Sequence, residues 1–296
     1  MTDFIQVYRP LIDLFLLNCG FAFSQYIVLR AGVFSIGTAG LAALGAYTAA
    51  ILFQRYGVDF HVALAVSTMI GTLAALLLAV PLARLRGAYQ AIATLAFVQI
   101  VSSVALIWSS MTGGPMGLIN IPRMSTTLTL FIAVCVVAIL LLSLSSTRLG
   151  LAIDAVRQDE TVAGSLGVSV YGVHMLAFGI SGAIAGLFGG LEAMYIYTID
   201  PGHYTFHFLT AALAFVVIGG RKSVFGPIAG AAIMTSLPEI ARPLADNRLL
   251  LNGALIMLVI AYLPHGVVDS LVLHFKRRAS RVAARKAETV NDSPST

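Results

Sequence analysis

Charge is what this sequence most lacks. Of its 296 residues only 10% are Asp, Glu, Lys or Arg, while 58% are hydrophobic; a soluble domain usually carries about 25% charged residues. Its 18 Lys and Arg and 13 Asp and Glu are too few to clothe a globule of this size, which excludes a water-soluble fold. Cysteine is almost as scarce. Cys19 and Cys135 sit inside apolar runs, where a thiol acts as a small hydrophobe, so no disulfide framework is implied. The net charge of +5 could suggest nucleic acid, but the basic residues stand beside the ends of apolar runs and in a tail. Orientation in a membrane explains that placement, and nucleic-acid binding is not expected. Met1 to Pro10 has neither a basic n-region nor a small-residue cleavage site, so no signal peptide is expected either.

What is abundant is apolar length. Apolar runs fall near 11–29, 33–53, 61–83, 88–108, 128–146, 171–198, 207–220, 225–241 and 249–264. At about 20 residues per span they use most of the chain and leave no separate soluble domain. The expected fold is an all-α integral membrane bundle of about nine helices, with eight to ten as the range. The transmembrane domain covers 1–275, and 276–296 is a basic, then polar tail expected to be disordered. An odd span number puts the ends on opposite sides. The tail residues Lys276, Arg277, Arg278, Arg281, Arg285 and Lys286 argue for a cytoplasmic C-terminus and an outside N-terminus. Arg30, Arg84, Arg86, Arg148, Arg157, Arg221 and Lys222 then also fall inside, outnumbering Arg9, Arg55, Arg123, Arg242 and Arg248 outside.

Small residues recur at packing intervals. Gly182, Gly186 and Gly190 are spaced by four, Gly226 and Gly230 repeat that spacing, and Gly32, Gly37, Gly40 and Gly45 crowd the second span. Such faces predict close helix contacts. Polar residues inside spans are costly against lipid and mark a pathway more often than elsewhere. Ser35 and Thr38 on the second span, with Thr94, Gln99 and Ser103 on the fourth, offer hydroxyls and an amide without fixed charge, suited to passing a zwitterion without trapping it. Gln99 and Ser103 share one face at i, i+4, and Gln90 with Thr94 are expected to continue it. Helix-to-helix hydrogen bonding is the competing explanation for each. Glu192 lies near the outer end of the sixth span, where reaching water would relieve its cost.

Two sharper constellations are weaker than they look. Gly179-Ile-Ser181-Gly182 matches the G-x-S-G of intramembrane serine proteases, but His203 and His207 sit near the outer surface and His174 lies on the serine's own helix. His203 and His207, with Asp200 nearby, lack a third strong metal ligand, so no metal site is expected. The longest inside connection, about 147–170, is more informative. It reads as two short helices, the second capped by Asp159 and stopped at Gly167. Leu151, Ile153, Val156, Val162 and Leu166 give it apolar faces, as a rigid knob docking into another protein's groove would need.

The same loop carries a resemblance. Ala155-Val156-Arg157-Gln158-Asp159-Glu160, followed by Ala163 and Leu166-Gly167-Val168, resembles the ATPase-contacting loop of branched-chain amino acid ABC transporter permeases of the LivM type. Gly32 to Gly37 through Ala43 to Tyr47 resembles the family's second-span signature. Arg84 to Tyr89 with Ala91 to Phe97 is similar to the next one. Thr112 to Gly114, Gly117-Leu118 and Ile121-Pro122 resemble its outer loop, and Gly219-Gly220, Ser223 and Gly226-Pro227 its late inside turn. The similarity runs from about Gly32 to Val267, with Arg221-Lys222 as a departure where the family usually has smaller residues.

The resemblance implies an importer subunit in the bacterial inner membrane, with no catalytic site of its own. It implies a periplasmic binding protein that delivers branched-chain amino acids or a similar small polar solute. It also implies a homologous second permease subunit and two ATP-binding subunits that carry ATP and Mg. Asp154, Arg157, Asp159, Glu160, Leu166 and Gly167 would couple this chain to the ATPase. No cofactor is expected on the chain itself: Gly220-Arg-Lys222-Ser223 is not a phosphate-binding loop, because Arg221 separates Gly from Lys and no glycine-rich turn opening a soluble helix surrounds it. An ion-coupled secondary transporter is the alternative, and the intramembrane protease a remote one. Neither needs the capped inside loop.

Overall fold

A computed structural model describes residues 2–240, with side chains from 8 to 237. Every apolar run up to position 241 is a helix: α1 (Thr2–Arg30), α2 (Thr38–Tyr56), α3 (Phe60–Leu82) and α4 (Ala88–Ile107) come first. A short α5 (Ser109–Thr112) and a 3-10 turn lead to α6 (Thr127–Ser146). The connection α7 (Arg148–Gln158) and α8 (Glu160–Ser165) precedes α9 (Val170–Ile196), α10 (Phe206–Gly219) and α11 (Phe225–Ile240). No strand occurs among the described residues, only an isolated bridge between Leu118 and Ile199.

Among the described residues, five helices are long and apolar enough to cross a membrane: Tyr8–Arg30 of α1, α3, α4, α6 and α9. The 14 residues of α10 and 16 of α11 span about 21 and 24 Å, short of a hydrocarbon core of about 30 Å. The expectation of about nine spans therefore exceeds the five that meet length and apolarity here. The run at 249–264 and the tail 276–296 lie outside the described residues.

The core is a glycine seam. α9 lies between α2 and α3, and a Cβ on Gly45 of α2 or on Gly71 of α3 would strike α9 backbone at Gly186 or Gly182. A Cβ on Gly186 would lie 2.5 Å from the Ser67 carbonyl oxygen of α3. Without side chains between them the backbones approach closely, and dispersion contacts replace lipid. α10 and α11 use the same device around Gly219, Gly226 and Gly230. Hydrogen bonds staple α1 to this unit: Ser24 Oγ lies 2.9 Å from Ser181 Oγ, and Asn18 Nδ2 donates to Thr235 Oγ1 at 2.9 Å. At the end where α9 finishes, the segment after α5 runs beside it, with Leu118 N and Ile199 N each donating to the other's carbonyl and Ile121 N donating to Tyr197 O.

Candidate functional site

The α7–α8 connection is built as its sequence implies. Thr147 caps α7 by accepting from Gly150 N, and the Asp159 carboxylate caps α8 by accepting from Thr161 N and Val162 N at 2.8 and 3.0 Å. Those two amides, Val162 first, hold the exposed Asp159 carboxyl below its ordinary value. Gly167 ends the motif with φ +83°, while Gly167 N and Val168 N donate back to Gly164 O and Ala163 O.

The charged residues expected to face a partner divide. Asp154 turns inward: Arg30 grips it with Nε on Oδ1 at 3.0 Å and Nη2 on Oδ2 at 2.8 Å, tying α7 to the end of α1. Glu160 pairs with Arg86 at 2.5 Å, tying α8 to the α3–α4 turn, and lies 4.0 Å from His174 of α9. Arg157 is half-buried and, with Phe34, Arg221 and Lys222, lines an open cleft of about 740 Å³. Asp159 and Gly167 remain at the surface. Of the apolar residues, Ile153 and Val156 are buried against the bundle, whereas Leu151, Val162 and Leu166 are exposed, Leu166 to 75%. The loop is thus a rigid knob, bolted to the bundle by two ion pairs and apolar on its free edge.

The candidate pathway residues also separate. Thr38 Oγ1 donates to Gln25 Oε1 at 2.6 Å, and Gln25 Nε2 donates to Ser35 O at 2.5 Å. Thr94 Oγ1 accepts from Ile36 N at 3.1 Å and donates to Gln90 O. Ser35, Thr38 and Thr94 are buried and form a knot joining the α1–α2 turn to α4. Gln99 and Ser103 are exposed, on a stripe shared with Ile92, Ile100 and Ile107. Gln90 and Thr94 therefore do not continue their face. Nine residues at about 100° each turn Ser103 half a circle away from Thr94.

Several partners escaped the sequence reading because they are distant along the chain. Gln25, Arg30 and Arg86 acquire meaning only once α1 meets α2 and α7 and α8 meets the α3–α4 turn. Glu192 does not reach water as expected. It is 5% exposed, accepting from Tyr204 Oη at 2.7 Å and lying 3.2 Å from His203 Nε2. That hydrogen bond raises the His203 pKa against burial, with the charges of Glu192 and Asp200 adding to it. His203 is thereby engaged with Glu192, and no group of three or more potential metal ligands occurs among the described residues. Ser181 is paired with Ser24 inside the bundle, and no histidine contacts it among the described residues, as a serine nucleophile would require.

Residues 20–261 match the family model described as the branched-chain amino acid transport system / permease component. The chain is 31% identical over 295 residues to the high-affinity branched-chain amino acid transport system permease protein LivM of Salmonella typhimurium, covering 88% of this chain and 69% of that protein. To the LivM protein of Escherichia coli it is 33% identical over 276 residues, covering 82% of this chain and 65% of the relative. The chain spans about two thirds of the length of these relatives. No solved structure shows a significant match. An all-helical bundle with a capped helical knob at one end, and a family match across most of its length, make this chain a member of the branched-chain amino acid permease family.

Proposed function

We propose that the chain is one permease subunit of an ATP-driven importer in the bacterial inner membrane. It moves branched-chain amino acids, or a similar small polar solute, received from a periplasmic binding protein. The observation that carries this reading is the α7–α8 knob: an amphipathic unit with both helices capped, held to the bundle by Arg30–Asp154 and Arg86–Glu160, and offering Leu151, Val162 and Leu166 to a partner. In this reading ATP and Mg reside on two ATP-binding subunits. Leu166, Gly167 and the Asp159 cap meet them, while Asp154, Arg157 and Glu160 transmit the push into α1 and the α3–α4 turn.

The exposed α4 stripe faces a homologous second permease subunit, and Gln99 and Ser103 line the passage between the two. Two polar side chains on a stripe otherwise fit for lipid support this, since facing hydrocarbon would cost free energy with no return. Ser35, Thr38 and Thr94 act one layer behind, fixing the rotation of α4. The bundle spans the membrane about nine times, with its N-terminus outside and the α7–α8 knob and C-terminus cytoplasmic, as the Lys and Arg distribution favours.

Affinity purification of the chain from its native membrane, with a tag on the C-terminus, is expected to bring down an ATPase and a second permease subunit in stoichiometric amounts. Isolation of the chain alone or as a transport-competent homo-oligomer would overturn the reading. Single cysteines at Ser110 and Ser165, in a background lacking Cys19 and Cys135, test the orientation. Position 110 should react with an impermeant thiol reagent in intact cells, and position 165 only after permeabilisation.

A further inference from the structure

The cleft of about 740 Å³ beside Arg157 opens at the same end of the bundle as the α7–α8 knob. Three parts of the chain enclose it: the end of α1 and the α1–α2 turn with Leu29, Val33 and Phe34, the end of α7 with Arg157, and the α10–α11 turn with Arg221 and Lys222. Three cations line the cleft, and no carboxylate does. Neither Arg157 nor Arg221 pairs with a carboxylate among the described residues. Like charges gathered around one concavity repel, and a partly enclosed cleft screens them less than open water does. An anion entering it relieves all three at once.

The backbone holds these walls in place. α1 ends in a Schellman turn, where Gly32 N donates to Leu29 O and Val33 N to Val28 O, with Gly32 at φ +83°. A Cβ on Gly32 would lie 3.3 Å from Arg157 Cα and 3.8 Å from its Cγ, so the turn packs against the stem of Arg157 and braces it at the cleft wall. Across the cleft, Gly220 at φ +113° ends α10 one residue before Arg221, and Arg221 and Lys222 are both exposed. Apart from the Gln158 amide the remaining side chains are apolar, with Phe34 45% exposed. Leu29 lies in the last turn of the apolar stretch Tyr8–Arg30, and Arg221 stands two residues beyond the apolar α10. The cleft therefore sits where apolar helices end, at the depth of lipid headgroups.

We propose that this cleft binds an anionic phospholipid of the inner leaflet, its phosphate held by Arg157, Arg221 and Lys222 and its acyl chains lying against Phe34. Guanidiniums take phosphate oxygens in pairs, and basic pockets between helices on the cytoplasmic side suit such headgroups. Charge disfavours the chain's own tail as the occupant, since its six Lys and Arg against Glu288 and Asp292 make it cationic like the cleft. A soluble phosphate compound would match the cations but leave the apolar wall bare. A bound lipid bridges the end of α7 to the α10–α11 turn and so lets leaflet composition act on the knob. The inference rests on the orientation proposed above, which puts the knob end in the cytoplasm.

The test uses the complex as recovered through the C-terminal tag, in detergent micelles. It is titrated with dioleoyl phosphatidylglycerol or with the zwitterionic dioleoyl phosphatidylcholine, and native mass spectrometry reads the affinity of the retained lipid. The wild type should prefer phosphatidylglycerol. Each Lys or Arg near an anionic headgroup is worth about fivefold, so Arg221→Gln combined with Lys222→Gln should weaken phosphatidylglycerol about tenfold or more and leave phosphatidylcholine unchanged. Arg157→Gln should weaken it about fivefold. Because Arg157 packs against Gly32 and its variant could disturb the knob, Lys222→Arg is measured alongside; it keeps the charge on an exposed side chain and should retain the preference. Arg148→Gln, an exposed cation of α7 outside the cleft, should change nothing.

Equal affinity of the wild type for the two lipids overturns the site. So does a loss in Arg148→Gln as large as in the double variant, which marks diffuse attraction. Full displacement of phosphatidylglycerol by millimolar inorganic phosphate also overturns it, in favour of a soluble anion. Loss of the ATPase from the double variant with lipid affinity unchanged overturns it in favour of a protein-docking surface. Labelling of position 165 in intact cells overturns the orientation instead, while the lipid titration still decides the cleft.

Discussion

α9 and α6 are both long apolar helices, yet they occupy opposite places. In the most apolar 18-residue window of α9 50% of residues are buried, and in that of α6, the more apolar of the two, 22%. In water the order would be reversed. In a bilayer the bulky branched residues Phe131, Ile132, Ile139 and Leu140 of α6 already have a good solvent, whereas Gly182, Gly186 and Gly190 of α9 gain by letting α2 and α3 come close. Apolarity thus marks the outside of this bundle and smallness its inside. α4 breaks the pairing usefully: it is 22% buried like α6, yet carries Gln99 and Ser103 on its exposed stripe. An α6-like exposure with polar groups signals a protein or aqueous neighbour rather than lipid alone.

The strongest way to break the contrast is to reverse it. Gly186→Leu forces a side chain into backbone that a Cβ alone would meet at 2.5 Å, at Ser67 O. Overpacking of that kind costs about 1–3 kcal/mol even where side chains can yield, and here the neighbour is main chain. The folded peak in fluorescence-detected size-exclusion chromatography should be lost. Ile139→Val on α6 should change apparent stability by less than about 0.5 kcal/mol. Normal accumulation of Gly186→Leu would show that the seam is not close.

A second comparison sharpens the place of α4. Ser103→Trp should abolish solute uptake with assembly and basal ATPase intact, Ser103→Ala should leave uptake within about twofold, and Val136→Trp on the exposed face of α6 should transport normally. Uptake unaffected by Ser103→Trp would place that face in lipid. Loss of assembly in Ser103→Ala would make Ser103 a packing hydrogen bond.

The smallest effect concerns the end of α9. The pKa of His203 is raised above its ordinary 6.5 by the hydrogen bond to Glu192 and by the charges of Glu192 and Asp200. The imidazolium then contributes stability that is fully present below about 6.5 and is lost as pH rises through the raised value. The difference in melting temperature between the wild type and His203→Gln should be largest near pH 6 and should shrink toward pH 9. A pH-independent difference would mean that His203 acts only as a neutral hydrogen-bonding group.

Helix positions were legible because spans are long and lipid imposes one rule on all of them; each run up to 241 became a helix with ends shifted by a few residues, save that α1 starts at Thr2, well before the apolar run it contains. The cap and stop of α8 were legible too, since Asp159 and Gly167 act within three or four residues of themselves, whereas the Thr147 cap of α7 went unremarked. What could not be read was direction across the bundle. Asp154 and Arg30 are 124 positions apart, so the sequence shows two charges on one side of the membrane but not that they grip each other. Arg86 and Glu160, like Glu192 and Tyr204, pair only because the glycine seams fix how the helices rotate. Gly71 went unremarked as a lone glycine in α3, with no repeat to announce it, although its backbone is pressed against α9. The rotation of α4 was half legible: Gln99 and Ser103 do share a face, but Thr94 does not belong to it.

In the proposed importer the free edge of the α7–α8 knob receives force from an ATPase. The direct measurement is solute-stimulated ATP hydrolysis by the reconstituted complex carrying Leu166→Asp, with Gly167→Val beside it. Leu166 is 75% exposed, so its loss spares the bundle, whereas an aspartate there removes an apolar anchor of the kind worth about 2 kcal/mol at an interface. Gly167 has open space around it but a φ of +83°, so valine strains the backbone without a clash. Stimulated hydrolysis should fall about tenfold or more in Leu166→Asp and clearly in Gly167→Val, with the permease subunits still folded and paired. Wild-type stimulation in both variants would contradict it.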